Sequence, residues 1–185
     1  LELDGIRATS DGAASPAPSL GTVQQISRRL HTARSTDALC AAIVALQLAS
    51  WRDAYAGVLP DAYLADGLAC DLTERWAGRD FAPPLVTLIA APDLGFVCCL
   101  TDRAVPYIDN LHTRPDQRSR GIGRAMMTAL FDCLRRAGAG AAELTVLQGN
   151  PRARAFYARL GGVEAAPTRV LAVAEIVKRA QQAFV

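Results

Sequence analysis

Arg118-Ser119-Arg120-Gly121-Ile122-Gly123-Arg124 is the stretch of this sequence whose residue types most directly imply chemistry. Gly121 and Gly123, one residue apart, let the backbone turn tightly and approach a ligand where a side chain would block it. A helical pattern starts with them, so its first-turn N–H groups lie outside the hydrogen-bond ladder, at the positive end of the helix dipole. Arg114, Arg118, Arg120 and Arg124 crowd the same turn and add fixed charge. These features favour a phosphate or pyrophosphate.

Exclusion narrows which phosphate. A P-loop needs Gly-Lys-Ser/Thr at the helix start, and no lysine lies near this turn. A dinucleotide fingerprint needs a further small residue where Met126 stands. The five cysteines, Cys40, Cys70, Cys98, Cys99 and Cys133, lie in apolar segments without Cys-x-x-Cys spacing or a nearby histidine. Buried, reduced thiols in a cytoplasmic protein are therefore expected, with no metal site. His31 and His112 are too far apart for spacing to suggest a site. A net charge of +2 is too small for a general nucleic-acid binder and leaves small molecules or a limited peptide surface as partners. No apolar run is long enough to span a bilayer, so no membrane partner is expected.

The elements that must hold this loop follow from pattern. With 185 residues, 51% hydrophobic and 21% charged, the chain reads as one globular domain. Residues 1–21 are rich in Ala, Ser, Pro and Gly and are expected as a flexible leader or an expression remnant, with the domain over 22–185. A first strand is expected over Ile26 to His31, then a helix after Ser35-Thr36-Asp37 and a second over Asp61 to Trp76. Leu85 to Ala90 and Gly95 to Leu100 read as a hairpin, and Tyr107 to Thr113 as the strand feeding the loop. Ile122, Met126, Ala129, Leu130, Cys133 and Leu134 give the following helix one apolar stripe. Another strand, Ala142 to Leu147, leads to Asn150-Pro151, an N-cap with proline in the first helical position. In the tail after residue 162, Val170 to Val177 fits a strand and Ala174 to Ala183 fits a helix equally well. The order argues for an α/β protein with one central mixed sheet and helices on both faces.

Two separated motifs in this order resemble the GCN5-related N-acetyltransferase (GNAT) superfamily. Arg118-Ser119-Arg120-Gly121-Ile122-Gly123 is similar to its coenzyme A loop, Arg/Gln-x-x-Gly-x-Gly/Ala. Asn150-Pro151-Arg152-Ala153-Arg154-Ala155-Phe156-Tyr157-Ala158-Arg159-Leu160-Gly161 is similar to its Asn-x-x-Ala-x-x-Phe-Tyr-x-x-Leu-Gly segment. Ser50 to Pro60 resembles the first-helix region of many bacterial members, and the likeness in element order covers about residues 23 to 165.

The resemblance implies the GNAT fold and direct acetyl transfer from acetyl-CoA to a primary amine of a small molecule or peptide. It implies that Leu111, His112 and Thr113 offer backbone to the cofactor, and that Arg118, Ser119, Arg120, Gly121, Ile122, Gly123 and Arg124 take its pyrophosphate. Asn150 matches a cofactor-contacting position, which N-capping also explains. Tyr157 matches the general acid, with a core aromatic as the alternative. An acceptor amine must lose a proton, and Asp109, two residues before Leu111 and on the same face by strand alternation, is a candidate base for it, with a solvated or salt-bridged aspartate as the alternative. Glu143 is a weaker candidate, and the acid that some members carry five residues before the motif asparagine is here Thr145. Trp51 and Tyr55, with Arg52 and Asp53, fit the acceptor pocket, although a helix joining the core would use the same aromatics. A homodimer stays open. The rival is a non-catalytic acyl-CoA sensor, which has no use for a proton donor at Tyr157.

Overall fold

Period-two apolar runs become strands and period-3.6 stripes become helices in the computed structural model, which describes residues 3–9, 36–77, 79, 85–91, 93–147 and 149–165. The elements are β1 (Leu3–Thr9), α1 (Thr36–Ala54), α2 (Leu68–Trp76), β2 (Leu85–Ala91), β3 (Gly95–Leu100), β4 (Tyr107–Thr113), α3 (Ile122–Arg136), β5 (Ala141–Leu147), α4 (Pro151–Arg159) and β6 (Gly162–Ala165). The strands form one mixed sheet in the order β2-β3-β4-β5-β1-β6, in which β4 and β5 are parallel and every other pair is antiparallel.

Helices cover both faces, as expected. Cys40, Ile43 and Leu46 of α1 and Trp76 of α2 pack on Phe96 and Cys98 of β3. On the other face Met126, Met127, Leu130 and Leu134 of α3 cover Val97, Cys99, Ile108, Leu144 and Val146. Alternation along β3 supplies both cores at once, which is why that strand is buried almost throughout. The inward stripe of α1 also carries two polar residues, Gln47 and Ser50, both buried.

Three expectations need correction. Leu3–Thr9 is no leader: it is a strand between β5 and β6, with Leu3 opposite Leu147 and Ala8 opposite Gly162. The domain therefore does not start at residue 22; the strand expected over 26–31 and residues 166–185 lie outside the described residues. The second helix is interrupted, because Tyr63–Gly67 forms a π-helical turn before α2, with Leu68 N–H donating to the Tyr63 carbonyl. Such a turn upsets the regular pairing of carbonyls. Here Arg52 of α1 donates to the carbonyls of Leu64 and Ala65. Gly67 is required in this turn, since a Cβ there would lie 2.8 Å from the Tyr63 ring. Third, the thiols are not all buried: Cys70 is exposed on α2 beside Glu74.

Candidate active site

β4 and β5 lie parallel but share a single register pair, Tyr107 opposite Glu143, with Glu143 N–H donating to the Pro106 carbonyl at 2.8 Å. Beyond that point β4 stays paired to β3 as far as Thr113, and β5 stays paired to β1. The two strands part and leave a cleft of about 740 Å³. Along it the facing edges of both strands carry main-chain groups without a ladder partner across the gap, a row that suits a guest with amides of its own.

One end of the cleft is the start of α3. Ser119 and Gly121 both hold left-handed backbone, with φ of 63° and 80°. That alternation turns successive N–H groups to one side, as in an anion nest. No side chain caps the helix at Gly121. The two glycines serve different needs. A Cβ at Gly121 would meet nothing within 4 Å, so glycine is needed there for φ; at Gly123 it would lie 3.3 Å from Phe156 Cζ, so glycine is needed there to seat α4 against α3. The arginines also divide. Arg118 is ion-paired with Asp53 at the end of α1, and Arg114 with Asp116. Arg120 and Arg124 are exposed at the helix start, and Arg152 and Arg159 of α4 border the cleft with Arg124. The exposed N–H groups beside these cations fit a pyrophosphate.

The wall beside it is aromatic. Asn150 Oδ1 accepts from Ala153 N–H at 3.0 Å, so Asn150 is an N-cap as well as a cleft residue. That cap fixes α4 and delivers Tyr157, whose ring meets Phe156 edge-on at 5.2 Å. Burial first, then the Tyr55 and Tyr107 phenols, raise the Tyr157 hydroxyl above its ordinary range. Tyr107 shares a 2.7 Å hydrogen bond with Thr145. Trp51 and Tyr55 stack edge-on at 4.9 Å along the same wall, and Trp51 Nε1 is buried without a partner among the described residues. His112 Nδ1 lies 3.2 Å from Ser50 Oγ, and its pKa falls to about 3 through desolvation, then Arg118 and Arg75. It is a neutral imidazole at any physiological pH.

Asp109 is in the cleft, but not for the reason strand alternation gave. The β3–β4 register skips it: Cys98 opposes Asn110 and Cys99 opposes Ile108. This bulge puts Ile108 and Leu111, three residues apart, against the same core, so Asp109 does not share the Leu111 face by alternation. Its carboxylate accepts from Asn110 Nδ2 at 2.6 Å and lies 3.8 Å from Arg79.

The fold thus brings together Tyr157, Asp109, Leu111, His112, Thr113, Asn150, Trp51 and Tyr55 with the loop from Arg118 to Arg124, apart from Arg120, which does not border the cleft. Glu143 is exposed and does not border it, and Arg52 is turned to the π-helical turn. Gln47, Ser50, Trp76 and Asn110, which support the site from below, escaped the reading of the sequence. An amide in the otherwise apolar stripe Cys40, Ile43, Leu46 was the signal for Gln47.

The profile of the acetyltransferase (GNAT) family matches residues 47–162. Among solved structures, the PaiA N-acetyltransferase of Thermoplasma acidophilum, in complex with coenzyme A, aligns with a TM-score of 0.58 at 18% identity, over 68% of this chain and 84% of that one. A GCN5-related N-acetyltransferase from Sphaerobacter thermophilus covers 90% of this chain and 49% of its own, at 19% identity and a TM-score of 0.40. No curated protein matches the chain.

Proposed function

The chain belongs to the acetyltransferase (GNAT) family, and on that premise we propose that it transfers an acetyl group from acetyl-CoA directly to a primary amine of a small molecule or peptide. The observation that carries this is the parting of β4 and β5 into a cleft that both the α3 start and Tyr157 line. Acetyl-CoA supplies an activated thioester carbonyl. The N–H groups from Ser119 to Arg124 hold its pyrophosphate, and Arg124 and Arg152 add charge at the rim. Arg118 acts at one remove, by tying the loop to α1 through Asp53.

The unpaired edge of β4 from Asp109 to Thr113 orients the acyl arm and offers N–H groups to developing negative charge on the carbonyl. Asp109 takes the proton that the ammonium must lose before it attacks. Tyr157 Oη returns a proton to the departing thiolate. Its raised pKa keeps it protonated at neutral pH, as an acid must be. The desolvation that raises the phenol also raises a thiolate beside it, so donor and acceptor stay matched. Neutral His112 adds no charge to compete with the amine.

The test is release of free thiol from acetyl-CoA across a panel of primary amines: alkylamines, polyamines, aromatic amines and lysine peptides. At least one amine should give release well above hydrolysis. Acetyl-CoA binding by calorimetry with no release on any amine would favour the sensor instead.

A further inference from the structure

Five side chains close a ring beneath the cleft. Trp76 Nε1 donates to Gln47 Oε1 at 2.7 Å, Gln47 Nε2 to Asn110 Oδ1 at 3.1 Å, and Asn110 Nδ2 to Asp109 Oδ2 at 2.6 Å. Arg79 lies 3.8 Å from the same Oδ2 and stacks on the Trp76 ring, 4.8 Å from its centroid. Gln47 is 0% exposed and Asn110 6%.

The direction of this ring is forced. An indole nitrogen can only donate, so Gln47 must turn its oxygen to Trp76 and its nitrogen to Asn110. Asn110 must then accept from Gln47 and present its own nitrogen to Asp109. Every donor therefore points one way, and the series ends on an anion. A purely structural amide pair would close on other buried groups, whereas this one terminates on a carboxylate that borders the cleft. Both contacts fall on Oδ2, and Oδ1 has no partner among the described residues. The β4 bulge makes this possible, since Asp109 and Asn110 on a regular strand would point to opposite faces.

We propose that Gln47, Asn110 and Arg79 are positioning residues, which fix Asp109 through Oδ2 so that Oδ1 is the oxygen presented to the acceptor amine. This rests on Asp109 as the base of the proposed transfer. Removing a link frees the carboxylate to rotate and leaves the next amide short of a partner.

A double-mutant cycle tests it, using acetyl-CoA and whichever panel amine turns over fastest. Asp109→Asn should lower kcat by about 10²-fold. Asn110→Ala should lower kcat about tenfold while the KM for acetyl-CoA changes less than about twofold, and in the Asp109→Asn background it should cost less than about twofold. An Asn110→Ala penalty equal in both backgrounds, or none in either, overturns the ring's role. Parental turnover in Asp109→Asn instead removes the base, and the inference with it, which keeps the two failures apart. If Asn110→Ala does not fold by circular dichroism, Arg79→Met carries the same cycle from the half-exposed side, with about a threefold effect expected.

Discussion

At the α3 end of the cleft, Gly121 and the arginines around it are exposed or half-buried, and the working groups are main-chain N–H. Beneath the cleft Gln47, Asn110 and Trp76 are buried, and a series of side chains holds a single carboxylate. The first end depends on backbone shape over a few consecutive residues, so it tolerates side-chain changes that leave φ alone. The second depends on residues 29 and 63 positions apart meeting at hydrogen-bond distance, so a single substitution breaks it. A binding site for a common cofactor can be local, whereas a proton acceptor has to be braced from the core.

The contrast can be broken at several points. The largest effect should come from Tyr157→Phe, which keeps the ring against Phe156 but removes the acid. Turnover should fall by about 10²-fold or more with acetyl-CoA affinity nearly intact. Parental turnover in this variant would make Tyr157 a core aromatic and leave the acid unassigned.

Next, Gly121→Val should weaken acetyl-CoA by at least about tenfold in calorimetry, because a β-branched residue at φ 80° costs about 1–3 kcal/mol and the turn relaxes away from that shape. Gly138, with φ 85° after α3, provides the control. Its valine variant should lose comparable stability and no affinity, and equal affinity losses would mean that the loop backbone has no special part.

His112 lines the cleft and reports on burial. With its pKa at about 3 in the folded protein against 6.5 in the unfolded chain, both states are neutral above that range. On acidification the unfolded chain takes a proton that the folded one refuses, so stability falls from about pH 6.5 down to about pH 3. Urea titrations at several pH values should give a flatter profile over that window for His112→Gln than for the parent. The smallest effect is at the surface, where Arg154→Ala removes an exposed pair with Glu164 and should change stability by less than about 1 kcal/mol in the same titrations.

Legibility in the sequence follows the same divide. The loop, the Asn150 cap and the bounds of β4 could be read because each is dictated by neighbours within a turn or two. The bulge could not, since a register skip belongs to two strands and only one of them carries Asp109. The ion pair that occupies Arg118 joins positions 65 apart, so an arginine that reads as a phosphate ligand is partly a strut. Residues 3–9 were misjudged because the small, polar stretch after them looked unstructured, and their partners lie more than 130 positions downstream.

That last pairing sets an order of events during synthesis. β2, β3 and β4 are consecutive antiparallel neighbours and can form as they emerge. Leu3–Thr9 leaves the ribosome well before them yet pairs with β5 and β6, and at about 5–20 residues per second its wait for Leu147 is on the order of ten seconds or more. Until then β1 is without the two strands that flank it. The wall of the cleft opposite β4 is therefore secured late, when the first of the described strands is threaded between β5 and β6.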